Sequence, residues 1–236
     1  MFQTLTPTGV NTNDVRMLWN PTRFCENGYT PNRHPEWASA LSILVFYPCI
    51  ARALQLQLYA TVALLGTNML SSMSTHLSQG MAADNLFFVT VDYIDVVTTV
   101  LILTVGLAEI AARIVPWLNA GIIAVLAIVG LATQGLSDEL STQWSGSVVA
   151  ALFTTTTMSV YVVCRRCDGR GTLTLVVAGM LVVLAACAKL LADEPGALGL
   201  PVDEHGCNAH TASWAHALWH LFSGLAVLTL LGLITR

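Results

Sequence analysis

Three histidines of this chain are surrounded by apolar sequence, where ionisable side chains are costly. His76 lies in one apolar stretch, and His216 and His220 lie in another. The latter two are four residues apart, which places both imidazoles on the same face of a helix. Together with a third histidine from another helix, they form a typical three-ligand zinc set that leaves a fourth position open for water. Bound zinc lowers the pKa of that water toward about 7, which supplies a hydroxide near neutral pH.

Serine and aspartate side chains add the other groups that hydrolysis needs. Ser72 precedes His76 by four residues, so it shares a helical face with it and can donate to an oxyanion formed from a carbonyl. Asp92, in the next apolar stretch, can deprotonate the water or hydrogen-bond to a ligand imidazole. Asp95, one turn further along, could share the site or pair with Lys189. The other interpretation of Lys189 is snorkelling to the outer headgroups.

The elements that must position these residues are membrane-spanning helices. Of the 236 residues, 55% are hydrophobic and 10% are charged, against about 25% charged in a typical soluble domain. This balance excludes a disordered chain and an ordinary soluble enzyme. A net charge of -4 provides no basic patch for nucleic acid, so no nucleic-acid partner is expected.

Seven apolar stretches are each near the length that crosses about 30 Å of hydrocarbon. They are Trp37–Ala53, Leu58–Ser78, Leu86–Ala108, Leu118–Thr133, Ser147–Val163, Leu173–Ala192 and Ala212–Thr235. The sequence therefore predicts an all-α integral membrane protein, with a polar tail over 1–36 and a seven-helix domain over 37–236.

The placement of arginine predicts the orientation of these spans. Arg52, Arg113, the pair Arg165 and Arg166, and Arg236 follow the first, third, fifth and seventh spans, while acidic residues dominate the other side. Because positive charge favours the cytosol, the N-terminus is expected outside and the C-terminus in the cytosol. The serine, the aspartate and the three histidines then lie within about 3–13 Å of the outer ends of their spans.

The outer segments carry two cysteines. Cys25 in the tail and Cys207 before the last span could form a disulfide in an oxidising compartment, or remain two unpaired thiols. The expected membrane is the plasma membrane or that of a secretory organelle, because both share this topology.

The polar pattern resembles that of the CREST superfamily of seven-span membrane proteins. It consists of Ser72 and His76 in the second span, Asp92 in the third, and His216 and His220 in the seventh. This superfamily contains the alkaline ceramidases, the adiponectin and progestin receptors, and the myomaker-like group with its GPI-processing phospholipase relatives. The segment from Leu41 to Pro48 and the spacing from His76 to Asp92 are similar to those of the myomaker-like group.

The N-terminal tail also resembles a calcium-binding segment of the ceramidases. The run from Phe24 to Tyr29, with Glu36 ahead of the first span, is similar to it, but Arg23 stands where that segment has an acidic residue. Glu26, Asn27 and Glu36 could still bind Ca²⁺, and the alternative is an irregular polar tail.

The resemblance implies a Zn²⁺-dependent hydrolase that cleaves an amide or ester bond in a ceramide-like, phospholipid-like or GPI-like lipid. One alternative is a myomaker-like membrane-fusion or adhesion protein in which zinc is structural. A second is a seven-span receptor, although no Asp-Arg-Tyr sequence follows the third span. The lipid substrate and the oligomeric state stay open.

Overall fold

The computed structural model describes residues 37–78, 86–115, 117, 154–166, 169–193, 199 and 209–234, and the regular elements within these ranges are helical. In chain order these elements are α1 (Trp37–Ser42), a 3₁₀ turn (Ile43–Val45), α2 (Phe46–Gln55), α3 (Tyr59–Ser78), α4 (Leu86–Leu101), a π-helical turn (Ile102–Gly106), α5 (Leu107–Ile114), a helical segment over 154–161 that runs into a second π-helical turn (Val162–Arg166), α6 (Gly169–Asp193) and α7 (Ala209–Leu231).

The chain is a helical membrane protein. In the described part of the chain, four helical stretches are long and apolar enough to cross a bilayer: Trp37–Gln55, Val97–Ile114, Gly169–Ala192 and Ser213–Leu231. The helix of the third predicted span runs on to Ile114, through the π-helical turn, instead of ending at Ala108. The predicted span Leu118–Thr133 lies outside the described residues.

Helix α3 is as long as a span but more polar, and most of its polar side chains are buried. It contacts α1, α2, α4 and α5. Its buried polar residues are Thr61, Asn68, Ser71, Ser72, Thr75, His76 and Ser78. Because polar groups avoid hydrocarbon unless they have partners, this pattern places α3 among its neighbours rather than against lipid.

The first turn of α3 is held by a carboxylate from α5. Glu109 accepts hydrogen bonds from the backbone nitrogens of Ala60 (3.3 Å) and Thr61 (2.8 Å), and from Thr61 Oγ1 (2.7 Å). The first amides of a helix have no partner inside the helix, and a negative charge there is favourable. Glu109 therefore caps α3 from a neighbouring helix.

A tight turn joins α2 to α3. Gln57 adopts a left-handed conformation with φ of 58°, and the nitrogens of Gln57 and Leu58 bond to the carbonyl oxygens of Leu54 and Ala53, both at 3.0 Å. This bonding pattern is a Schellman motif, which ends a helix by satisfying its last carbonyls. Arg113 Nη2 lies 3.5 Å from the Gln57 carbonyl oxygen, so the end of α5 lies beside this turn.

Much of the apolar core lies at the same end of the bundle as this turn. Its fully buried members Leu58, Leu65, Ile114 and Leu231 lie near the start of α3 and the ends of α5 and α7. The core extends along the first helices to Ile43, which follows Ser42. The buried histidines lie near the end of α3 and the start of α7, beyond most of the core.

Helix α7 makes a very close contact with the 3₁₀ turn at Gly224. A Cβ atom at this position would lie 2.5 Å from Cγ1 and 2.9 Å from Cγ2 of Val45. Cys49 Sγ donates to the Gly224 carbonyl oxygen at 3.2 Å, one turn further along α2. The absence of a side chain at Gly224 thus allows the first helices to lie directly against α7.

Candidate metal centre

The structure brings together the three histidines that the sequence singled out. His76 comes from α3 and His216 and His220 come from α7, and the three side chains are only 2%, 3% and 4% exposed. One nitrogen atom from each ring lies within 4.8 Å of the others. The ring centroid of His76 lies 4.6 Å from that of His216 and 5.3 Å from that of His220. This buried cluster could hold a metal ion.

The spacing of four residues on α7 sets the closest pair of nitrogens. The Nε2 atoms of His216 and His220 lie 3.0 Å apart, with ring planes at 85°. Nitrogens about 2.0–2.1 Å from a tetrahedral zinc ion are separated by about 3.3 Å, which is close to this spacing. The pair on α7 is therefore already near a chelating arrangement.

The donor atoms also fit a metal chemically. His76 Nε2 is a buried nitrogen atom that makes no hydrogen bond within the described part of the structure. Leaving a polar atom in this condition is unfavourable, and a bound cation is one way to satisfy it. Imidazole nitrogen suits zinc and several other transition metals, so the donor set by itself does not define the ion.

A serine from the first span contacts the cluster. Ser42 Oγ lies 3.0 Å from His220 Nδ1, on the side of the ring away from the Nε2 atom. The same hydroxyl donates to the carbonyl oxygen of Ser39 at 2.7 Å. Ser39 Oγ in turn donates to the carbonyl oxygen of Ser213 at 3.2 Å, which ties α1 to α7 beside the cluster.

Trp219 lies between the two histidines of α7 in sequence and packs on both. Its ring centroid is 4.9 Å from that of His216 and 5.0 Å from that of His220. The ammonium group of Lys189, on α6, lies 4.7 Å from the Trp219 ring centroid. This is a cation–π contact, so the only lysine of the chain lies near the histidines, with an aromatic ring as its neighbour.

The predicted catalytic residues are placed only in part. Ser72 is 2% exposed and lies one turn before His76 on α3, so it faces the same interior. Asp92 lies on α4, which packs against α3, but its side chain is outside the described part of the structure.

Asp95 takes part in a polar network one turn below Ser72. Asn68 Nδ2 donates to Asp95 Oδ1 at 2.7 Å and lies 3.1 Å from the Asp95 carbonyl oxygen. It also contacts the hydroxyls of Thr98 (3.1 Å) and Thr99 (3.0 Å). Asp95 thus helps to join α3 to α4.

Several predicted sites lie outside the described residues. They are the disulfide of Cys25 and Cys207, and the calcium candidates Glu26, Asn27 and Glu36. Among the described residues, Cys49, Cys164 and Cys187 form no disulfide bond.

Ser42 and Asn68 are not among the residues that the sequence alone indicated. Asn68 precedes Ser72 by four residues and His76 by eight, so helical spacing alone could have added it to the polar face of α3. Ser42 offered no such signal, because its role depends on a contact with a helix 178 residues later.

Comparison of this chain with models of protein families, with curated proteins and with solved structures finds no match.

Proposed function

We propose that this protein is a zinc-dependent membrane hydrolase that cleaves an amide or ester bond of a lipid. The observation that carries the proposal is the buried cluster of His76, His216 and His220, with one nitrogen of each ring within 4.8 Å of the others. A three-histidine set is the ligand pattern of catalytic zinc, because it leaves a coordination position for water or substrate.

The three histidines would hold the ion, and zinc supplies a lowered water pKa and polarisation of a carbonyl group. The Ser72 hydroxyl would donate a hydrogen bond to the carbonyl oxygen of the substrate, where negative charge develops. The Asp92 carboxylate would accept a proton from the attacking water and later return it to the leaving amine or alcohol. The position of Ser72, one turn from His76, supports its part in this scheme.

A lipid substrate is favoured because two of the three histidines lie on a helix that is apolar enough to span a membrane, and the third lies on a helix packed among such helices. Ser213–Leu231 contains two of the three histidines. A substrate must reach them from the bilayer or from its surface, and acyl chains suit an apolar helical interior. The substrate class in this proposal is a ceramide-like, phospholipid-like or GPI-like lipid.

The proposed topology has seven spans, with the N-terminus outside and the C-terminus in the cytosol. Its support is the position of two arginines at the end of the bundle away from the histidines. Arg113 contacts the turn at Gln57, and Arg52 lies in the last turn of α2 before it, whereas the histidines lie at the other end. Positive charge marks the cytosolic end, so the metal centre would open toward the outer leaflet of the plasma membrane or a secretory organelle.

The proposed family is the CREST superfamily, and within it the myomaker-like group. Its support is the pattern of Ser72, His76, Asp92, His216 and His220 in the sequence, together with the meeting of the three histidines in the structure. A myomaker-like fusion or adhesion role with structural zinc predicts the same metal content. Only an assay of lipid hydrolysis therefore distinguishes that role from the proposed hydrolase.

Elemental analysis of detergent-purified protein tests the metal. About one zinc per chain is expected, and both His76→Ala and the double variant His216→Ala, His220→Ala should lose it. Folded protein that was never exposed to a chelator and contains no zinc would refute the proposal.

A panel of ceramides, phospholipids and GPI-like lipids then tests the chemistry. Release of free fatty acid by the wild type, abolished in Asp92→Asn with zinc retained, is expected. Stoichiometric zinc without hydrolysis of any of these lipids would instead favour the structural role.

A further inference from the structure

We infer that Ser42 is a positioning residue for the metal centre: it holds His220 in the tautomer that carries hydrogen on Nδ1 and presents the Nε2 lone pair to the metal. This inference rests on the proposed metal site and assigns a role to the first span, which contributes no ligand in that proposal.

The hydrogen atoms in this contact can be assigned from their partners. The Ser42 hydroxyl has one hydrogen, and the Ser39 carbonyl oxygen, at 2.7 Å, can only accept. The hydroxyl hydrogen therefore points at Ser39, because two oxygen lone pairs at this distance would repel each other. The Ser42 oxygen is then left as an acceptor toward His220 Nδ1 at 3.0 Å, so Nδ1 must be the atom that carries hydrogen.

This assignment fixes the other side of the ring. A neutral imidazole with hydrogen on Nδ1 has its lone pair on Nε2. His220 Nε2 is the atom that lies 3.0 Å from His216 Nε2, inside the cluster. A ligand histidine usually donates its remaining N–H to an oxygen acceptor, which fixes the ring orientation and raises the basicity of the ligand. Helix α1 supplies such oxygens at this edge of the ring: the Ser42 hydroxyl, and beside it the Ser39 backbone carbonyl group, which also hydrogen-bonds to His220.

The backbone around Ser42 is held against α7 on both sides of this contact. Ser39 bonds to Ser213 on one side, and on the other Cys49 Sγ donates to Gly224 while Val45 fills the space at that glycine. The hydroxyl is oriented by a bond within its own helix, which requires no metal. The ring of His220 is thus oriented before an ion binds, which lowers the cost of ordering the ligand.

The test is the zinc dissociation constant of the full-length protein in detergent, measured by competition with a chromogenic chelator. Ser42→Ala should weaken zinc binding by about 10–100-fold, which is typical for loss of the partner of a ligand histidine. Ser42→Thr keeps the hydroxyl and should stay close to the wild type.

A serine outside this contact serves as the matched control. Ser74→Ala removes a hydroxyl that bonds to the Leu70 carbonyl oxygen on α3. It should bind zinc like the wild type. Equal zinc affinity of Ser42→Ala and Ser74→Ala would overturn the inference.

Nitrogen-15 NMR of histidine-labelled, zinc-free wild type gives a second readout that needs no Ser42 variant. The His220 signal, identified by its loss in His220→Ala, should show hydrogen on Nδ1, and hydrogen on Nε2 would contradict the inference. If the purified wild type contained and bound no zinc, the proposed metal site itself would be refuted. If it bound zinc but hydrolysed no lipid, the proposed hydrolase activity would fail while the inferred role of Ser42 would still hold.

Discussion

Gly224 and Val45 leave no space between them for a methyl group. A Cβ atom on Gly224 would lie 2.5 Å from Val45 Cγ1, and valine cannot turn away easily because both γ-carbons face the same contact. The contact lies one turn beyond His220 on α7. It therefore sets how closely the first span can approach the helix that carries two of the three histidines.

Replacing Gly224 with alanine should separate these helices and destabilise the protein by about 1–3 kcal/mol, the usual cost of overpacking a close contact. Thermal unfolding in detergent, followed by tryptophan fluorescence, measures the effect. Gly179→Ala on α6 is the matched control, since no atom lies within 4 Å of its added methyl group. Equal melting temperatures for the two variants would show that the contact between Gly224 and Val45 does not limit how closely the helices pack.

Removing the metal should lower stability. A ligand that binds only the folded state at a free concentration 100 times its Kd contributes about 2.7 kcal/mol. For a chain of this size that corresponds to a fall in Tm of about 5–10 °C after chelation, with recovery when zinc is returned. His76→Ala should unfold at one temperature with or without chelator. A chelator effect that persists in this variant would place the metal elsewhere.

The network around Asn68 should contribute to stability without contributing to metal binding. Its amide group has two hydrogens shared among four acceptors on Asp95, Thr98 and Thr99, so the contacts act as alternatives rather than as four full bonds. Asn68→Ala should cost about 1–3 kcal/mol by leaving buried acceptors with fewer partners.

Asn68→Asp should destabilise the protein further, because it places a second carboxylate beside Asp95. Thr67→Ala, which changes the exposed neighbour, is the control and should unfold like the wild type. Loss of zinc from Asn68→Ala would contradict the separation of this network from the metal centre.

The orientation of the chain can be tested at Cys164, an exposed cysteine just beyond the end of the fifth predicted span. In a variant with Cys25, Cys167 and Cys207 replaced by serine, a membrane-impermeant maleimide should label sealed right-side-out vesicles only after permeabilisation. Cys164→Ser in the same background should abolish the signal. Labelling of intact vesicles would invert the proposed topology.

The sequence was sufficient to predict the helical membrane class and the meeting of the three histidines. Both depend on local signals: apolar stretches of span length, and polar residues such as His216 and His220 at helical spacing inside them. The structure brings these histidines together because burying a histidine in a span is costly unless it has polar partners.

The contacts between distant helices could not be predicted in the same way. Ser42 meets His220 only because α1 packs on α7, and Glu109 meets Thr61 only because the helix of the third span continues past Ala108. Such contacts depend on helix packing angles and on the π-helical turn. Neither feature is indicated by a repeating pattern of residues in a single sequence.

The capping of α3 by Glu109 also has a consequence for how the protein is made. Thr61 is synthesised 48 residues before the carboxylate that accepts its hydrogen bonds. The cap can therefore form only after Glu109 has been synthesised and α5 has packed against α3, so the start of α3 reaches its final set of hydrogen bonds later than the rest of that helix.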